Sequence, residues 1–113
     1  MNITRIYPSN KELDPRDIYK HTRARAEAIK DVEDGLEITP VEIVMYDDTN
    51  DKGEKVEIIS IVDKKGKHYA TSGKTFNKEI NFILDLMKDS EFSIKVLKPV
   101  SKGGRTYVTC ELL

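Results

Sequence analysis

Hydrophobic and polar positions alternate along most of the chain after Leu36. The run LEITPVEIVMY, Leu36 to Tyr46, alternates over Val41, Ile43 and Met45 and predicts a half-buried strand. Pro40 within it marks an edge or a bulge, because proline brings no N–H to a ladder. DDTNDKGE supplies a turn, and KVEIISIVD, rich in β-branched residues, predicts a strand buried over much of its length. Asp63-Lys64-Lys65-Gly66 predicts a hairpin loop with KHYATS as the returning strand. After Gly73 the period changes. Phe76, Ile80, Ile83, Leu84 and Met87 fall on one helical face, with Thr75 as the expected N-cap and an end near Asp89-Ser90. EFSIKVLK then alternates with Phe92, Ile94 and Val96 inward, PVSKGG predicts a loop, and RTYVTCELL alternates with Val108, Cys110 and Leu112 on one side.

The order is three strands, a helix and two strands. This is the order of the OB-fold, a five-stranded Greek-key barrel whose helix lies between its third and fourth strands. The expected fold is therefore mainly β, an OB-fold barrel over residues 35–113, preceded by an N-terminal arm or helix over residues 1–34. Asp14-Pro15 resembles a helix start, and RDIYKHTRARAEAIK carries Arg16, Lys20, Arg23, Arg25 and Lys30. At 113 residues the chain suits one domain.

Composition sharpens this picture where it concerns charge. Charged residues make up 35% of the chain, against about 25% in average proteins, and the net charge of −1 hides strong segregation. Asp31 to Glu57 holds ten acidic residues against Lys52 and Lys55; Lys64 to Lys78 holds five lysines and no acid; Lys95 to Arg105 holds Lys95, Lys98, Lys102 and Arg105 and no acid. Segregated charge bears on partners rather than on fold. No apolar run approaches the ~20 residues needed to span a bilayer, and MNITRIYPSN has neither a basic start nor an apolar centre, so no membrane partner is expected. The single cysteine, Cys110, forms no internal disulfide and is expected as a buried strand thiol.

Three motifs suggest chemistry and fail on spacing. Gly73-Lys74-Thr75 closes a P-loop only if a glycine stands at the position of His68, and the residues left over are too few for a parallel sheet covered on both faces. DTNDKG places Asp48, Asn50 and Gly53 at the first, third and sixth positions of a calcium loop, but Lys52 stands at the fifth and Ile59 at the twelfth, where a glutamate is required. Neither His21 nor His68 has a neighbouring nucleophile with an orienting carboxylate. No enzymatic activity, metal or cofactor is expected.

A single-strand binder needs a cationic groove and flat side chains on which bases stack. In an OB barrel the second and third strands form that face, flanked by the loops joining strands one to two and four to five. KKGKHY and KPVSKGGR fall at two of those places. The expected nucleic-acid-binding residues are Lys64, Lys65, Lys67, Lys74, Lys98, Lys102 and Arg105 for phosphates, with His68, Tyr69, Tyr46 and Tyr107 as base platforms. The two cationic hairpins are expected to converge on one concave wall.

The runs AIKDVEDGLEITPVEIVMY, ISIVDKKGKHYATSGKTF and FSIKVLKPVSKGGRTYVTCEL resemble the single-stranded DNA-binding proteins encoded by tailed phages of Gram-positive bacteria. The resemblance covers about Ala28 to the end. It implies an OB-fold, tight coating of single strands during phage replication or recombination, single-stranded DNA as partner, and a place in the cytoplasm of the infected host. Its residue-level expression is confined to Lys65, Lys67, Tyr69, Lys102 and Arg105. Replication proteins and further copies of the chain are partner classes it leaves open. The rival reading is a small phage protein-binding module that uses its acidic segment to mimic DNA or to sequester a host factor.

Overall fold

The computed structural model describes all residues from Met1 to Leu113. Eight strands form two sheets, with two α-helices. Strands β1 (Asn2–Tyr7), β2 (Glu27–Ala28), β4 (Pro40–Thr49), β5 (Lys55–Asp63) and β6 (His68–Thr71) form one sheet in the order β1-β4-β5-β6-β2. Strands β3 (Glu37–Ile38), β7 (Ile94–Leu97) and β8 (Thr109–Leu112) form the other, in the order β3-β7-β8. Helix α1 spans Pro15–Thr22 and helix α2 spans Lys74–Met87.

Only Thr39 separates β3 from β4, so one bent strand belongs to both sheets. The bend lies at the proline: the β4–β5 register shifts between Pro40 and Glu42. Beyond that bulge the pairing runs unbroken from Glu42↔Val62 to Thr49↔Lys55. Asp63 shapes the following hairpin, its Oδ1 accepting from the backbone N–H groups of Lys65 and Lys67 at 2.9 and 2.8 Å. Gly66, at φ 82°, supplies the left-handed residue this turn requires.

Helix α2 buries Phe76, Ile80, Ile83 and Leu84. They join Ile43, Met45, Ile59, Ile61 and Tyr69 from the large sheet and Ile38, Ile94, Val96 and Cys110 from the small one in a single core. The Cys110 thiol pKa is pushed up to about 12, first by burial and then by the Glu79 carboxylate.

The expected strand and helix order from Leu36 onward is present, but no closed barrel forms. No ladder joins β8 to β6, because β2 pairs parallel with β6 through Glu27↔Tyr69 and Ala28↔Ala70 and occupies its outer edge. A backbone edge pairs only once. The N-terminal region is also more than an arm. Residues 2–7 pair antiparallel with β4 as an edge strand, and the predicted long helix stops at Thr22. Its start is as expected: Asp14 accepts from the Asp17 N–H, Asp17 accepts from the Asp14 N–H, and Pro15 stands at the first turn. The N-cap of α2 is Gly73 rather than Thr75, and Val41 and Leu112 are exposed at 46% and 37% although their alternation points inward. No helix is long and apolar enough to cross a membrane.

Helix α2 ends on Lys88, at φ 55° and ψ −120°, while its N–H still donates to the Leu84 carbonyl at 2.8 Å. A side chain at this backbone costs on the order of 1 kcal/mol that glycine does not incur. Lys88→Gly is expected to raise unfolding stability by about 1 kcal/mol in urea titration; an unchanged or lower midpoint contradicts the strain.

Candidate nucleic-acid interface

Strand β5 alternates between two environments. Ile59 and Ile61 face α2, while Val56, Ile58, Ser60 and Val62 face the opposite, outer side. Register carries the outer face across to Val44 and Tyr46 on β4 and to His68 and Ala70 on β6. Val44, Tyr46, Ser60 and Val62 are nonetheless buried. Residues 14–28 supply the cover, crossing from β4 over β5 to the edge of β6.

The cover is fastened by a chain of polar groups. His21, on the last turn of α1, places Nε2 2.5 Å from Glu42 Oε1 and Nδ1 2.7 Å from Ser60 Oγ. Ser60 Oγ lies 2.6 Å from His68 Nε2, and the two imidazole rings meet edge to face at 5.9 Å. Tyr46 OH donates to the His21 carbonyl at 3.5 Å, and Lys11 stands 3.6 Å from Glu42. With one proton on each imidazole, the contacts are satisfied when His68 Nε2–H donates to Ser60, Ser60 donates to His21 Nδ1, and His21 Nε2–H donates to Glu42. This arrangement leaves His68 Nδ1 without a proton; the atom is buried beside the Arg25 backbone and makes no well-formed hydrogen bond. A serine, a histidine and a carboxylate thus meet where sequence spacing offered no such set. Ser60 is wholly buried and its hydroxyl is shared between two imidazoles, so the group acts as a clamp that closes the sheet.

Where the cover ends, the outer face opens into a groove of about 640 Å³. Val56, Ile58 and Ala70 form its floor, Ala28 and Lys30 one wall, and Thr106, Tyr107 and Val108 another. Tyr107 is 39% exposed, its N–H donating to the Pro99 carbonyl at 3.1 Å. The hairpin from Lys98 to Arg105 rises beside it, closed by Ser101 N–H to Arg105 O at 2.8 Å and by the Val100↔Thr106 bridge. Lys98 Nζ reaches the Lys30 carbonyl at 2.7 Å, which joins this hairpin to the segment after β2. Lys30, Lys98, Lys102 and Arg105 form no ion pair.

Of the residues expected to contact nucleic acid, the structure places Tyr107 on the groove lining, and Lys98, Lys102 and Arg105 on the hairpin that leads into Thr106 and Tyr107. It does not bring the others there. Tyr46, under α1, and Tyr69, within the core, are 5% and 3% exposed and present no face for a base; burial raises both phenol pKa values. His68 is held under the cover. Lys64, Lys65 and Lys67 lie at the His68 end of β6, whereas the groove lies at its Thr71 end, so the two cationic hairpins do not share a wall. Lys64 pairs with Glu91 at 3.6 Å and Lys67 with Glu27 at 3.4 Å. Lys74 lines a separate depression with Lys55 and Glu57. The acidic β4–β5 turn reaches the groove through Asn50. Lys30 on the groove wall was legible as a cation but not as a neighbour of Lys98. The clamp had one local signal: a lone serine in the apolar run IISIV requires a buried partner.

No family model, curated protein or solved structure matches the chain.

Burial lowers the His68 pKa below the ordinary 6.5; His21 and Lys20 act in the same direction, while the Arg25 backbone opposes them. The unfolded chain takes up this proton at higher pH than the folded one. The contribution of His68 is therefore fully present above about pH 6.5 and is lost as pH falls from there through the folded pKa. Melting temperature is expected to fall on acidification through this window, and less so in His68→Gln; equal pH profiles exclude His68 as a source. Tyr69→Ala is expected to cost about 3 kcal/mol or more in unfolding stability, measured by denaturant titration.

Proposed function

We propose that this protein binds single-stranded nucleic acid without sequence preference, in the groove between the outer face of β5–β6 and the Lys98–Arg105 hairpin. Single-stranded DNA in phage replication or recombination is the ligand and setting implied by the sequence resemblance. One observation carries the reading: an open groove with an apolar floor, an exposed tyrosine and Lys30 on its walls, and Lys98, Lys102 and Arg105 on the adjoining hairpin, none of the four cations ion-paired. Non-specific single-strand binding requires those elements, a ring for base stacking and charge for the phosphates. The reading is supported by the groove's position on β5 and β6, since the second and third strands are the ones that OB-folds use for ligands. The acidic turn at the Asn50 end gives the groove a polarity. A polyanion passes at the Lys30 and Lys98 end and turns away from Asp51 and Glu54.

If Lys30, Lys98, Lys102 and Arg105 neutralise four phosphates, log affinity for oligo-dT falls against log salt with a slope of roughly −3. Tyr107→Ala is expected to weaken oligo-dT binding by about 1 to 3 kcal/mol. Fluorescence titration with oligo-dT and with duplex of equal length, at two salt concentrations, tests both. Salt-independent affinity, or equal affinity for duplex, refutes the proposal.

A further inference from the structure

The segment from Arg16 to Lys30 carries Arg16, Lys20, Arg23, Arg25 and Lys30, and none of these five cations has an ion-pair partner. Its two acids before Lys30 are each matched from outside: Asp17 lies 3.8 Å from Lys11, and Glu27 lies 3.4 Å from Lys67. In a chain of net charge −1, this leaves an uncompensated positive strip.

The backbone fixes which way that charge points. In RARAEA, Ala24, Ala26 and Ala28 are partly buried while Arg23, Arg25 and Glu27 are exposed. Small residues inward let the extended strap lie close to the sheet, and long cations outward face solvent. On α1 the residues Arg16, Tyr19, Lys20 and Arg23 follow helical spacing along one exposed side. Tyr19 is 65% exposed, a ring that the core does not use. The strap is held at both ends, by the His21–Ser60 clamp and by the Ala28↔Ala70 pairing, and it continues directly into Lys30 on the groove wall.

We infer that the α1–β2 strap is the second half of the single-strand path, extending the groove across the outer face, with Arg16, Arg23 and Arg25 on phosphates and Tyr19 as a second base platform. This rests on the groove reading above and adds to it a longer footprint. An expected contact surface on β5–β6 is replaced by the segment that covers it. The partner chemistry is that of a single strand, because a flat exposed ring among arginines takes an unpaired base as well as a backbone.

Anisotropy titrations with oligo-dT of about six and about twenty nucleotides test this, on the full chain, Tyr19→Ala, the triple variant Arg16→Gln/Arg23→Gln/Arg25→Gln, and Tyr107→Ala. The strap variants are expected to bind the short oligomer within about twofold of the parent, to bind the long one about tenfold more weakly, and in the triple variant to lower the salt slope by roughly 2. Tyr107→Ala is expected to weaken both lengths. Replacing the three arginines by lysine should restore the slope, which separates charge from any loss of folding. If the parent binds the long oligomer and the strap variants bind it equally well, the strap inference falls and the groove stands. Equal weakening at both lengths also overturns a separate extension. If the parent binds neither oligomer, the groove reading itself has failed.

Discussion

The central β4–β5 ladder is buried on both of its faces, and the rest of the molecule is arranged around that constraint. Ile43, Val44, Met45 and Tyr46 are buried in succession, as are Ile59, Ser60, Ile61 and Val62. A pleated strand with every side chain buried needs a layer above and a layer below. Helix α2 and the small sheet provide one layer. The other is provided by the N-terminal strap, which is why residues before Leu36 belong to the fold rather than hang from it.

Covering the outer face with the strap has two consequences. It carries a polar residue, Ser60, into the interior, and the cost of burying that hydroxyl is offset only by a partner for each of its hydrogen-bonding roles. His21 and His68 are those partners, with Glu42 completing the chain at the edge. The strap also pairs with β6 and so takes the edge that a closing strand needs. The clamp and the open barrel are two results of one route taken by residues 14–28. The groove exists where that cover stops, at the Thr71 end of β6.

Charge follows the same division. Asn50 of the acidic turn between β4 and β5 lines the groove, and so do Thr106, Tyr107 and Val108, which follow the Lys98–Arg105 hairpin. The β5–β6 hairpin, which looked the most basic in the sequence, spends two of its lysines on Glu27 and Glu91. Formal charge along a segment therefore misjudged where free positive charge resides. Cations whose neighbours are apolar or backbone remain available, as on the strap and the second hairpin.

Periodicity determined much by itself: the β5 span, the α2 face with Phe76, Ile80, Ile83 and Leu84, the inward set Phe92, Ile94 and Val96, and the bulge at Pro40 all follow from local rules of φ, ψ and side-chain alternation. The basic hairpin at Lys98–Arg105 and the exposed Tyr107 were legible for the same reason, since a loop rich in glycine and lysine stays at the surface. The two-sided burial of β4 was not, because alternation identifies a buried face but cannot say that the other face is also covered. Tyr46 and Tyr69 look alike as strand tyrosines whether they face solvent or a helix. The β1 strand, the strap, and the meeting of Glu42, His21, Ser60 and His68 depend on contacts between segments distant in the chain or on the choice of an edge. Only tertiary structure decides these, because an edge or a buried hydroxyl is satisfied by whichever segment reaches it, and no local pattern records which one does.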